Sequence, residues 1–215
     1  MIYPIGRLTL IQLVLLWIKR INGKNNLKIN HSYIVAANHA SFVDDLIVPS
    51  IVVLTKGRYI HMYVNMKFFK NFFLRKFLEW GRSIPVDVYK SKDAKKVNKN
   101  AFNLAIKCLK KGELVGIFPE GHRSMDGKLQ KARVGIAKLA LNAKVPIIPI
   151  GIIGSDKILP KGKRFLRFKR CVVNIGKPMF FDKYYGKENN KKALIKVTTM
   201  VMEEIARLSK QKYEF

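Results

Sequence analysis

Acidic side chains are scarce in this chain of 215 residues: 14 Asp+Glu stand against 42 Lys+Arg, a formal net charge of +28. Such an imbalance calls for anionic partners, which come as nucleic acid, anionic membrane or phosphorylated small molecules. Cysteine is nearly absent too. Cys108 and Cys171 each lie in an apolar stretch and not in a C-x-x-C spacing. That argues against a disulfide framework or a cysteine-based zinc site, and it fits a reducing, cytoplasmic setting. The N-terminal apolar run LTLIQLVLLWI, Leu8 to Ile18, stops at 11 residues, short of the ~20 that a membrane-crossing helix needs. KRINGKNNLK follows it, where a secretory signal would place small residues for cleavage. Internal repeats and low-complexity linkers are lacking as well.

What is present suits one domain with a short appendage, because 48% hydrophobic residues suffice for a packed core. The Leu8–Ile18 run is bracketed by Arg7 and by Lys19 and Arg20, with Trp17 near its end. It reads as a short helix lying in a membrane interface, or else packing on the core. The chain therefore divides into residues 1–30, an interfacial helix and connector, and residues 31–215, an α/β domain. Six β-like runs lie in that domain: Tyr33 to Asn38, Tyr59 to Val64, Ser83 to Val88, Leu114 to Phe118, Val145 to Ile153 and Cys171 to Gly176. Helical spacing separates several of them, over Lys67 to Trp80, Ser91 to Lys111 and Lys131 to Ala143, and a last helix carries Leu194, Val197, Val201, Ile205 and Leu208 on one face. This alternation predicts an α/β fold with a mixed, mostly parallel sheet covered by helices. Ligand sites in such folds lie where strands run out into the next helix.

Two segments at such places carry chemistry. NHASFVDD, Asn38 to Asp45, follows the first of these strands. On a continuous helix His39 and Asp44 would stand ~140° apart. If His39 precedes the helix and Ser41 caps it, the imidazole folds back so that Asp44 accepts its ring N–H. A histidine so oriented takes a proton from an alcohol near neutral pH, and no nucleophilic Ser or Cys is then required. FPEGHRSMDG, Phe118 to Gly127, turns at Pro119 and Gly121 and presents Glu120 for a polyol and Arg123 for a phosphate. Read singly, the first motif fits a satisfied structural histidine better than a base, and the second fits a mere surface turn.

Together with the run Val145-Pro146-Ile147-Ile148-Pro149-Ile150, these motifs resemble three of the four ordered blocks of the glycerolipid acyltransferase family, whose best-known members are the 1-acylglycerol-3-phosphate acyltransferases. The similarity covers roughly Tyr33 to Ile153. It implies that His39 is the base and Asp44 its partner, with Glu120, Gly121 and Arg123 in acceptor binding. It implies a lysophospholipid acceptor, acyl-CoA or acyl-carrier-protein as donor, no metal or other cofactor, and residence at the cytoplasmic face of a membrane, peripheral or monotopic. Two departures stand out: Val88 occupies the place of an arginine that helps hold the acceptor phosphate, and Asn65 that of a lysine. Arg82, Lys67 or Lys90 are candidates to replace them, Arg82 first.

Two further surfaces mix aromatics with cations. Phe68, Phe69, Phe72, Phe73, Phe77 and Trp80 lie among Lys67, Lys70, Arg75 and Lys76, and KILPKGKRFLRFKR spans Lys157 to Arg170. Both suit docking on anionic lipid, the first alternatively core packing or an acyl channel, the second alternatively a solvated basic loop. Competing functions are an acyltransferase on another lyso-lipid, such as an ornithine lipid, and a basic nucleic-acid-binding protein. The absence of a nucleic-acid signature and the spread of charge along the chain disfavour the last, so no nucleic acid is expected.

Overall fold

The computed structural model of the chain describes residues 9–89, 91–160, 162 and 165–215. Arg7, Leu8 and Lys90, named above, lie outside the described residues, as do three cations of the Lys157–Arg170 segment. Seven strands form one sheet in the order β1-β7-β6-β2-β5-β3-β4. They are β1 Ile18–Asn22, β2 Ile34–Ala37, β3 Ile60–Asn65, β4 Ile84–Val86, β5 Leu114–Ile117, β6 Ile147–Ile153 and β7 Cys171–Ile175. All neighbours pair parallel except β6 with β7, which run antiparallel. The helices are α1 Leu10–Leu15, α2 Asp44–Lys56, α3 Phe72–Trp80, α4 Ala94–Lys110, α5 Gly135–Ala143 and α6 Lys191–Ser209.

Parallel strands need helical crossovers, and these cover both faces of the sheet, so the central strands are apolar throughout. In β2, Ile34 and Ala36 pack into a core beneath α4, α5 and α6. Val35 and Ala37 face the opposite core, which α2 and α1 close. The six runs read as strands from the sequence all pair in the sheet. A seventh strand, β1, lies outside the six runs: Ile18–Asn22 pairs with β7, so these five residues are part of the sheet. The apolar run is likewise shorter as a helix than expected, and α1 is two-faced. Ile11 and Val14 are buried, while Leu13 and Leu16 are 56% and 60% exposed. Trp17 packs partly buried against the core, not out at its margin. Among the described residues, no helix is long and apolar enough to cross a membrane.

The expected helix over Lys67 to Trp80 divides at Asn71. A 3-10 turn, Met66–Lys70, precedes it, and the Asn71 side chain accepts from the Leu74 N–H to start α3. Every residue of α3 is exposed or half-buried. Helix α5 begins at Gly135, four residues later than expected, because the chain before it is held extended beside the second motif: the Arg133 N–H donates to the Pro119 carbonyl at 2.9 Å.

Candidate active site

Strands β2, β5, β3 and β4 are parallel neighbours, so their carboxyl ends share one edge. The residues that follow them meet there: His39 after β2, Phe118, Pro119 and Gly121 to Arg123 after β5, Lys67 beyond β3, and Asp87 to Tyr89 after β4. They line a cavity of about 410 Å³ with Phe102 and Arg133.

The first motif is wound around one carboxylate oxygen. Asp44 Oδ2 lies 3.2 Å from His39 Nδ1 and accepts the N–H groups of Ala40 at 2.8 Å and Ser41 at 2.7 Å. Asp44 opens α2, where the helix dipole favours negative charge. The ring geometry matches the expectation, but the cap does not. No side chain caps α2, and the Ser41 hydroxyl donates to the Leu159 carbonyl at 2.8 Å. Asp44 thus orders the loop and orients the imidazole together, and His39 also stacks on Phe118, with ring centroids 4.0 Å apart. Asn38 secures the base of the turn through two hydrogen bonds with the backbone of Ile152 in β6.

Among the described residues no hydrogen bond engages Nε2, the other ring nitrogen, and His39 lines the cavity. The acid nearest to Nε2, Asp45, stands at 3.8 Å, beyond hydrogen-bond reach. Burial favours the neutral ring, yet the hydrogen bond that Nδ1–H donates to Asp44 and the charges of Asp45, Asp44 and Glu120 outweigh it, so the His39 pKa stands above its ordinary value. Burial pushes the Asp45 carboxyl up to about 6, against the pull of His39 and Arg123. Arg123 places its guanidinium carbon 3.3 Å from the Phe42 ring centroid, at the cavity wall.

Glu120 departs from the expectation. It is 1% exposed, and each carboxylate oxygen is taken by backbone: Oε1 accepts from the His39 N–H at 2.8 Å and Oε2 from the Gln130 N–H at 2.7 Å. It therefore locks the two motifs together, with both oxygens spent on backbone. The Ser124 N–H returns the bond to the His39 carbonyl at 2.8 Å. Burial raises the Glu120 pKa to about 7, moderated by those two N–H donors. Gly121 serves the turn at φ 75°, where a side chain would also press on the Arg133 guanidinium only 3.0 Å away.

Arg82 is a second correction. It lies outside the cavity at the far side of β3, where its guanidinium stacks on Tyr59 at 3.7 Å and reaches Glu113 at 3.5 Å. Arg82 precedes β4, which runs parallel to β3, so it sits at the amino ends of these strands, opposite the cavity. The cation that reaches the Val88 loop is Arg133, whose Nη2 donates to the Val88 carbonyl at 3.1 Å. Lys67, named among the substitutes, does line the cavity and donates to the Tyr89 hydroxyl at 3.3 Å. Arg133 and Asp45 carried no signal of their own in the sequence. A second cavity, about 470 Å³ and almost wholly apolar, opens beside the first between α1, α2 and α3, and shares Phe42, Asp45, Val64 and Phe68 with it. Among the described residues one trio has metal-ligand types within 4.8 Å of one another, His61, Cys108 and Glu113; it lines neither cavity.

A histidine oriented by a carboxylate, in a cationic cavity that shares wall residues with an apolar one, is a site that can take a proton from a substrate hydroxyl. The chain belongs to the acyltransferase family, whose model matches residues 19–153. It is 29% identical to the 1-acyl-sn-glycerol-3-phosphate acyltransferase of Bacillus subtilis over 161 residues, 74% of this chain and 73% of that protein. A chloroplast 1-acyl-sn-glycerol-3-phosphate acyltransferase of Arabidopsis thaliana is also 29% identical, over 63% of this chain and 40% of that protein. The fold is that of the 1-acyl-sn-glycerophosphate acyltransferase of Thermotoga maritima, with a TM-score of 0.67 at 19% identity, over 99% of this chain and 85% of the other.

Proposed function

We propose that this acyltransferase moves a fatty acyl group from acyl-CoA or acyl-carrier-protein to the free hydroxyl of a 1-acylglycerol 3-phosphate, giving phosphatidic acid for phospholipid synthesis. The observation that carries this reading is the open Nε2 of His39 in a cavity that bears Arg123, Arg133 and Lys67 on one side and runs into apolar space on the other. The acceptor hydroxyl gives its proton to Nε2 as its oxygen bonds to the thioester carbonyl carbon. The carbon–sulfur bond then breaks and the departing thiolate takes the proton back, so that ester and thiol leave and His39 is restored. Asp44 holds the ring so that Nδ1 keeps its hydrogen and steadies the imidazolium between the two transfers.

A phosphate on the acceptor suits the guanidinium groups, which form paired charge-assisted bonds with its oxygens. Arg133 bonded at the Val88 carbonyl brings a cation to the loop where the expected arginine is missing, and this favours a phosphorylated acceptor over a neutral or zwitterionic lyso-lipid. The apolar cavity suits an acyl chain. The enzyme works at an anionic membrane surface, on the cytoplasmic side that the resemblance implies. Leu13 and Leu16 of α1, Phe72 and Phe73 of α3 and Phe165 and Phe168 all stand exposed among cations there, and such mixed surfaces bind anionic lipid. The Arg170 Nε donates to the Leu16 carbonyl, which joins the loop of Phe168 to α1. A panel of lyso-lipids offered with labelled acyl-CoA and acyl-carrier-protein tests the assignment. Transfer to 1-acylglycerol 3-phosphate that vanishes in His39→Ala supports it, and preference for an acceptor without phosphate refutes it.

A further inference from the structure

The basic surface is not of one kind. Around α1, α3 and the Phe165–Phe168 loop, cations alternate with exposed aromatics. Along α4 they stand almost alone. Lys96, Lys99, Lys107 and Lys110 recur at helical spacing, with Asn103 filling the interval, and Lys92 and Lys95 widen the stripe at its start; all six are exposed. The stripe lies opposite the face that buries Ala101, Ala105, Cys108 and Leu109. Its largest exposed apolar side chain is Leu104, at 43%. Among the described residues, no carboxylate forms an ion pair with any of these lysines.

A helix gains nothing structurally from this pattern. Like charges three and four residues apart repel, and cations in the first turn oppose the helix dipole. That first turn itself holds no acid, and Asp93 stands before it at the N-cap. The stripe runs the full 17 residues of α4, ~25 Å at 1.5 Å per residue. That exceeds what one nucleotide needs, since its few phosphates engage two or three cations at one spot. Without aromatics it also lacks the apolar anchors that would seat it in a bilayer interface. What it matches is an extended acidic protein surface. Its position matters as well: Asn98 and Phe102 of the same helix line the His39 cavity.

We infer that the lysine stripe of α4 docks an acidic carrier protein that presents the acyl chain as a thioester to the His39 cavity. This rests on the acyl-transfer reading above and narrows its donor. Opposite charge across such a contact chiefly raises the association rate and selects the partner, and reversing it sets like charges against one another.

The test compares one acyl chain on acyl-carrier-protein and on CoA, with the same acceptor, using the wild type and the triple variant Lys96→Glu, Lys99→Glu, Lys107→Glu. The expected result is a loss of roughly 30-fold in kcat/KM for the carrier-borne donor and less than about twofold for acyl-CoA. Added salt should slow the wild type more steeply with the carrier than with CoA. The retained CoA rate shows that the variant is folded. An equal loss with both donors, or no loss with the carrier, overturns the inference. So does a variant that no longer binds anionic vesicles while its carrier binding, read by fluorescence anisotropy, is unchanged. If the wild type acylates no acceptor from either donor, the acyl-transfer reading fails. The docking face is then judged by anisotropy alone, where carrier binding to the wild type and not to the triple variant upholds it and any other result overturns it.

Discussion

Two histidines in this molecule are each buried, each paired with a carboxylate and each accompanied by an arginine. His39 has Asp44 at 3.2 Å and Arg123 at its cavity wall; His61 has Glu113 at 3.0 Å with Arg82 beside it. The difference lies in the remaining nitrogen. Nδ1 of His61 donates to the Arg82 carbonyl at 2.9 Å while Nε2 faces Glu113, so the protein occupies both. His39 is held at Nδ1 and leaves Nε2 to the cavity. A histidine–carboxylate pair is therefore a clamp or a base according to whether one ring nitrogen is left over and has space to meet a substrate.

The sharpest way to break this comparison is to remove the open nitrogen. His39→Ala should lower kcat by roughly 10³-fold, the middle of the range for losing a general base, while the circular dichroism spectrum and melting temperature stay near those of the wild type. A rate within tenfold of the wild type would place His39 with His61, as a clamp.

Next in size is the partner. Asp44→Asn should cost roughly 10²-fold in kcat, because the ring loses both its fixed tautomer and the charge that steadies the imidazolium. It also carries a sign. Asp44 and its neighbours raise the His39 pKa above 6.5, and the base must be neutral to act, so activity falls as pH drops through that raised value. With the Asp44 charge gone the opposing burial counts for more, and the acid limb of the pH–rate profile should move to lower pH. The same raised pKa means that protonated His39 favours the folded wild type at pH values below 6.5, a contribution that disappears as pH climbs through the folded-state value. An acid limb that moves upward in Asp44→Asn would contradict the assigned role.

The arginines extend the contrast, and they also mark how far the sequence could be read. Arg133→Ala should raise KM for 1-acylglycerol 3-phosphate about tenfold, the ~1.5 kcal/mol of one charge-assisted hydrogen bond, with kcat little changed, whereas Arg82→Ala should leave KM alone. The family resemblance pointed to Arg82 because it lies in the segment aligned with the missing arginine. Only the fold reveals that Arg133, 45 residues past Val88, is the cation that reaches that loop. Glu120 shows a related limit: the resemblance places it in acceptor binding, while the fold spends its two oxygens on backbone N–H groups from remote segments. The six apolar strands and four of the helices were legible from their periodicity. So was the fold of His39 back onto Asp44, since that contact spans only five residues. Strand β1 was not, because Ile18–Asn22 carries Lys19 and Arg20 outward at the sheet edge and continues an apolar helical run. Cations are a usual guard for an exposed edge, and they hide its strand pattern.

The smallest effect on turnover, and the one that tests the other half of the comparison, belongs to His61. His61→Ala should leave kcat and KM within about twofold of the wild type, because no atom of the ring lines either cavity. The cost falls on stability instead. His61 is 7% exposed, and its loss strands the Arg82 carbonyl and leaves Glu113 to Arg82 and Cys108. Leaving buried partners without their bonds costs about 2 kcal/mol, which in a domain of this size lowers Tm by roughly 4–8 °C. His61→Gln can still bond one of the two and should fall between. Should His61→Ala instead cut turnover by tenfold or more at unchanged Tm, occupancy of both nitrogens would not separate clamp from base, and the reading of His39 by its open nitrogen would lose its control.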